Sequence, residues 1–94
     1  MTEFDRTWSL VKKNPYDFAS WEYLIKLSET ANGGVTKGSS ELDIGNLRQV
    51  YTQFLDLFPL CYAYWKKFAD WELSLVDTVT AEQVIHFIKL LFES

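Results

Sequence analysis

Apolar side chains in this chain recur at three- and four-residue intervals, the spacing that gathers them on one face of an α-helix. Phe4, Trp8 and Val11 begin the series and predict a leading helix over about 3–13, closed by Asn14-Pro15. A proline disfavours helical geometry in the residue before it. Pro15 itself can stand near the start of the next helix, where its missing N–H costs little. Phe18, Trp21, Leu24 or Ile25, and Leu27 carry that second helix to about Thr30-Ala31. The segment Asn32 to Ser40 holds three of the four glycines and no apolar period, and reads as a flexible loop over 32–40. Leu47, Val50, Phe54 and Phe58, with Tyr51 and Leu55 beside them, predict a third helix, capped by Asp43 and ended by Pro59. A fourth runs from about Leu60 to Leu75 on the stripe Cys61, Tyr64 or Trp65, Phe68, Trp71 and Leu75. Val76 to Val79 reads as a turn. Thr80 and Gln83 then fit a capping box for a fifth helix that bears Val84, Phe87 or Ile88, and Leu91. No stretch alternates with period two long enough to propose a strand, so the expected class is all-α.

Two stretches match one another. Pro15, Phe18, Trp21 and Leu24 correspond to Pro59, Tyr62, Trp65 and Phe68, each pair 44 positions apart. Setting aside roughly ten loop residues leaves a period of ~34, the length of a tetratricopeptide-like helix–turn–helix repeat. Such a hairpin cannot bury its apolar face alone and stacks on its neighbours as a solenoid. The expected organisation is a leading helix, a first repeat over about 15–58 and a second over about 59–93, a right-handed stack of antiparallel helix pairs. Trp21 and Trp65 are expected to wedge between paired helices, and Trp65→Ala to melt the fold.

Composition narrows the function. The chain has 94 residues, enough for one small domain or part of a larger one. Aromatics make up 17%, material for a core in a short chain. The formal net charge of −4 argues against a free-standing nucleic-acid binder, which ordinarily carries a basic stripe. Lys12-Lys13 and Lys66-Lys67 are pairs rather than patches, and read as solvated faces. No run of about 18 uncharged apolar residues exists, so no membrane span is expected, and the first residues lack the pattern of a secretory signal.

Candidate chemistry is sparse. The single cysteine, Cys61, excludes an internal disulfide and reads as a packed, inert thiol. The single histidine, His86, has no partners for a triad or a metal site and reads as a helix-surface residue. Gly33 and Gly38 have the spacing of a phosphate loop, but Ser39 stands where the lysine should be and no strand precedes it. Glu72 shares a helical face with Trp65 and Phe68. An unpaired buried charge is costly, so its carboxylate is expected to bond a neighbouring backbone or hydroxyl group. The aromatic stripes have core spacing rather than that of a base-stacking platform. No convergent polar set suggests an enzyme or a ligand carrier, and no cofactor is expected.

The arrangement of Trp65, Phe68 and Glu72 on one helix, with Val50-Tyr51, Phe54-Leu55 and Pro59 on the other, resembles the half-a-tetratricopeptide (HAT) repeat of RNA-processing proteins. The run Phe58 to Glu72, and with it Asn14 to Leu24, is similar to the amino-terminal repeats of the pre-mRNA-processing factor 39 family. That resemblance implies a non-enzymatic nuclear scaffold of the U1 small nuclear ribonucleoprotein (snRNP), acting in 5′ splice-site recognition during pre-mRNA splicing. Its implied partners are proteins of the splicing machinery, with RNA association indirect and self-association through HAT repeats. The implied repeat-shaping residues are Pro15, Trp21, Leu24, Tyr51, Pro59, Trp65, Phe68 and Glu72. A HAT scaffold of ribosomal RNA processing or of mRNA 3′-end cleavage is the alternative. Two features depart from the family pattern. Ser28 stands where the second copy has Glu72, with Glu29 adjacent, and the last helix, Val84 to Phe92, is bulkier than the small-residue helix expected there. A chain ending at Ser94 would be a truncated form, leaving the outer face of Val84 to Phe92 uncovered and prone to self-association.

Overall fold

The computed structural model describes the backbone of residues 1–75 and 78–93, and their side chains except those of 78–81, 84, 87 and 91. Five helices follow in order: α1 (Glu3–Lys13), α2 (Phe18–Glu29), α3 (Glu41–Leu57), α4 (Tyr62–Leu75) and α5 (Thr78–Glu93). Among the described residues there is no strand, and the protein is all-α.

Local chemistry sets the ends of these helices. The Thr2 hydroxyl accepts from the Asp5 N–H at 3.1 Å, and the Asp5 carboxylate accepts from the Thr2 N–H at 3.3 Å. This reciprocal box satisfies two end donors of α1. Lys12 and Lys13 in its last turn complement the helix dipole. For α3 the cap is Ser40, whose hydroxyl accepts from the Asp43 N–H at 3.1 Å. Asp43 is therefore inside the first turn rather than at the cap, and its carboxylate accepts instead from the Asn32 amide at 2.6 Å. Helix α5 begins at Thr78, so Thr80 lies within its first turn. The side chain needed for the Thr80–Gln83 box, like the turn residues Val76 and Asp77, lies outside the described residues.

Neither proline is helical. Pro15 and Pro59 occupy tight turns three residues ahead of α2 and α4, closed by Asp17 N–H to Asn14 O at 3.1 Å and Cys61 N–H to Phe58 O at 3.2 Å. The rigid φ of each proline serves the turn, and the helix starts only once the chain has reversed. Between α2 and α3, Asn32, Gly33 and Gly34 all take positive φ, a reversal that two glycines make without a steric penalty. The loop contributes to the core despite its polar composition. Val35 is buried, and its N–H is bonded to Glu29 O at 3.0 Å.

Three contacts fix the direction of α4 against α3. Arg48 meets Glu72, Tyr51 meets Phe68, and Phe54 meets Tyr64. As position advances along α3 it retreats along α4, so the pair is antiparallel. Links between α2 and α4 run the other way: Glu22 meets Tyr64 and Glu29 meets Trp71, both 42 positions apart, so these two helices are parallel. Cα extents of 37 × 32 × 15 Å describe a slab. Its thickness equals two helix radii plus one interhelical spacing of ~8–10 Å, hence two layers. Helices α2 and α4 are joined in one layer by the bonds of Glu22 and Glu29; α1 and α3 both pack on α2, and α5 packs on α4. Between the layers sit Val11, Trp21, Leu24, Ile25, Leu47, Val50, Tyr51, Phe54 and Leu55, each nearly free of solvent.

Candidate interaction surface

The two matching segments have matching geometry. Trp21 Nε1–H donates to Pro15 O at 2.8 Å, and Trp65 Nε1–H donates to Pro59 O at 3.0 Å. Each indole therefore clasps the turn that precedes its own helix. Burial separates the two. Trp21 is 2% exposed, set edge-on against Trp8 with ring centroids 5.8 Å apart. Trp65 is half-buried at the border of the slab, with Phe92 edge-on at 6.1 Å. Leu24 is completely buried. Phe68, half-buried, stacks on Tyr51 at 5.2 Å with the rings nearly parallel.

Glu72 is buried and holds Arg48 through two contacts, from Nε to Oε1 at 2.7 Å and from Nη2 to Oε2 at 3.2 Å. Its partner is thus a guanidinium, rather than the backbone or hydroxyl group expected. The fork of Arg48 neutralises the charge as well as bonding it, which suits a carboxylate withdrawn from water. At the corresponding position of α2, Ser28 is buried and donates to Ile25 O at 2.7 Å.

Residue Glu29 organises a cluster that sequence reasoning missed. Its Oε2 accepts from the Tyr51 hydroxyl at 2.5 Å and from Trp71 Nε1–H at 2.8 Å, with Lys67 Nζ at 3.5 Å. One carboxylate thereby ties α2 to α3 and α4. The only signal in the sequence was its place beside Ser28, and nothing there pointed to partners 22 and 42 positions away.

Burial pushes the Tyr51 phenol far above its ordinary value of 10.0, reinforced by the hydrogen bond to Glu29 and by that carboxylate's charge. Tyr64 is raised as well, by burial and by its bond to Glu22. Above pH 10 the unfolded chain can release the Tyr51 proton while the folded one retains it. Its stabilising contribution is therefore complete below pH 10 and declines as pH rises beyond it, by about 1.4 kcal/mol per pH unit at most. Thermal melts between pH 9 and 11 should show this loss, and Tyr51→Phe should have a shallower alkaline slope than the parent chain. Equal slopes would contradict the assignment.

The remaining candidates stay apart. Cys61 is a half-buried free thiol at the start of α4, and His86 is exposed on α5. Among the described residues no cluster of three His, Cys, Asp or Glu could hold a metal ion. Gly38 lies inside a turn closed by Thr36 N–H to the Ser39 hydroxyl and Ser39 N–H to Thr36 O, and Gly33 lies in the preceding reversal. The lysine pairs are exposed: Lys66 pairs with Asp70 at 3.1 Å, and Lys12 lies over the Trp8 ring at 5.6 Å. No helix among the described residues is long and apolar enough to cross a membrane.

One open groove of about 750 Å³ lies between α1 and α3. Trp8, Val11 and Lys12 supply one wall and Thr52, Gln53, Leu55 and Asp56 the other, while both proline turns and their tryptophans line it too. This is a concave, aromatic surface with few polar groups, suited to holding part of another molecule.

Residues 5–88 match the family PRP39 N-terminal HAT repeat. Pre-mRNA-processing factor 39 of Schizosaccharomyces pombe is 42% identical over 83 residues, covering 88% of this chain and 14% of that protein. Pre-mRNA-processing factor 39 of Mus musculus is 36% identical over 70 residues, 74% of this chain and 9% of that protein. Pre-mRNA-processing factor 39-2 of Arabidopsis thaliana is 35% identical over 80 residues, 85% of this chain and 7% of that protein. The chain spans no more than 14% of the length of these relatives. No solved structure matches it.

Proposed function

We propose, from the premise that this chain belongs to the PRP39 N-terminal HAT repeat family, that it is a non-enzymatic scaffold segment acting in pre-mRNA splicing in the nucleus. The observation that carries this reading is the family match over residues 5–88, laid on a helical stack whose buried carboxylates serve packing. The half-buried Glu29 and the buried Glu72 spend their acceptor capacity on Tyr51, Trp71 and Arg48. A group held by structural partners is poorly placed to exchange protons with a substrate.

At finer resolution, the segment takes part in the U1 snRNP during 5′ splice-site recognition, contacting proteins and reaching RNA indirectly. Residues 15–58 and 59–93 act as two copies of one building block. Pro15, Trp21, Leu24, Tyr51, Pro59, Trp65, Phe68 and Glu72 shape those copies, and the partner is recognised by the surface they support.

Affinity purification of the tagged chain from nuclear extract tests the assignment. U1 RNA together with U1 proteins is the expected recovery. Recovery of ribosomal RNA-processing or 3′-end cleavage factors in their place would transfer the chain to another HAT complex.

A further inference from the structure

We propose that the groove between α1 and α3 docks a proline-rich peptide segment carrying a basic residue. The proposal rests on the scaffold reading only in treating the protein as a binding platform; the partner class comes from the groove itself. Trp8, Trp21 and Trp65 line it; Trp21, 2% exposed, closes its floor, and the half-buried Trp8 and Trp65 offer the accessible aromatic surface. Two are held rigidly, because their indole N–H groups are bound to Pro15 O and Pro59 O. Rigid aromatic faces lose little entropy when a ligand settles on them. Among the described residues the third indole, Trp8, has no protein acceptor for its N–H, and no buried side-chain polar atom lacks a partner. That donor therefore faces solvent.

A polyproline II strand fits these features. It has no internal hydrogen bonds, so its carbonyls are open to a donor such as the Trp8 indole. Its rings pack on aromatic faces, and its extended shape is set before binding, which is why aromatic grooves recur as proline-peptide sites. Charge selects the flanking residue. Asp56 lies in the groove wall, is exposed, and makes no ion pair among the described residues. Lys12, the cation in the lining, likewise makes no ion pair among the described residues and is stationed over the Trp8 ring rather than at Asp56. An arginine or lysine beside the prolines would meet Asp56. The same charge disfavours a nucleic acid strand: its phosphates would approach a free carboxylate on a protein of net charge −4.

Fluorescence anisotropy with purified chain and a labelled peptide gives the test. The peptide carries two arginines after a run of about eight prolines, ~25 Å of polyproline helix. Saturable binding is expected. Asp56→Lys, at an exposed position, should weaken it about tenfold with no change in the melting curve, and so should replacing the two arginines by glutamates. Trp8→Phe, which keeps an aromatic ring at the position and removes the donor, should weaken it in the same direction. Absence of saturable binding would overturn the proposal. So would equal affinity for the arginine and glutamate peptides, indifference to Asp56→Lys, or tighter binding of a uridine oligonucleotide. Purified components alone are used, so failure leaves the splicing assignment untouched.

Discussion

Trp21→Ala should lower the melting midpoint steeply, whereas Trp65→Ala should leave a folded and only somewhat softened molecule. Truncating a fully buried tryptophan costs ~3–5 kcal/mol, through lost transfer energy and the cavity left behind. Domains are stable by about 0.05–0.15 kcal/mol per residue, so 94 residues have roughly 5–14 kcal/mol in all. Trp21 also forfeits its bond to Pro15 O and its ring contacts with Trp8 and Phe54. At about 4–8 °C per kcal/mol for a domain of this size, the melting midpoint should fall by roughly 12–40 °C. Trp65 makes the same type of bond but is half-buried, so its loss should cost roughly 1–2 kcal/mol, within the ordinary range for a single substitution. Circular dichroism melts of the two variants decide the matter. Equal destabilisation would show that the repeat equivalence, rather than burial, governs the effect.

The second large effect is expected at Glu29. In Glu29→Ala the Tyr51 hydroxyl, on a residue with no exposed surface, loses its acceptor, and so does the Trp71 indole. An orphaned buried polar group costs ~1–3 kcal/mol, and Trp71 can recover part of its loss from water because it is half-buried. The total should be about 2–4 kcal/mol. Glu29→Gln retains an acceptor oxygen and should cost about 1 kcal/mol, reflecting the weaker neutral bond. Adding Tyr51→Phe to Glu29→Ala should be markedly non-additive, because one substitution removes the partner that the other leaves stranded. Urea denaturation measures all of these. If the alanine and glutamine variants were equally stable, Glu29 would be an ordinary surface carboxylate.

Much of this architecture was legible because it is periodic. Helical class follows from apolar spacing, and the Pro-to-Trp interval recurs after 44 positions, so the turn-clasping indoles could be seen as a pair. What depended on distant partners was hidden. The Glu29 cluster needs residues 22 and 42 positions away brought to one point, and no local pattern encodes that. The pairing of Glu72 with Arg48 was hidden likewise, since it spans two helices. At the start of α3, both Ser40 and Asp43 are good capping residues by type, and the hydroxyl of Ser40 won by reaching the Asp43 N–H. Val35 was obscured by glycine-rich neighbours, although one apolar residue in a polar loop is enough to pin it. The different burial of Trp21 and Trp65 has no counterpart in the Pro-to-Trp interval they share; it follows from Trp21 lying inside the stack and Trp65 at its border.

Each helix rests chiefly on the one made just before it, and this zigzag bears on how the chain is born. Most of the packing of an early helix is on its immediate successor, and the bonds of Glu22 and Glu29 to α4 come later. As the ribosome extends the polypeptide from its amino end, α2 can settle on α1, and α3 on α2, before α4 has left the exit tunnel. Synthesis at ~5–20 residues per second is slow beside the docking of short helices. Assembly can therefore proceed in the order of translation, with one fresh apolar face uncovered at a time.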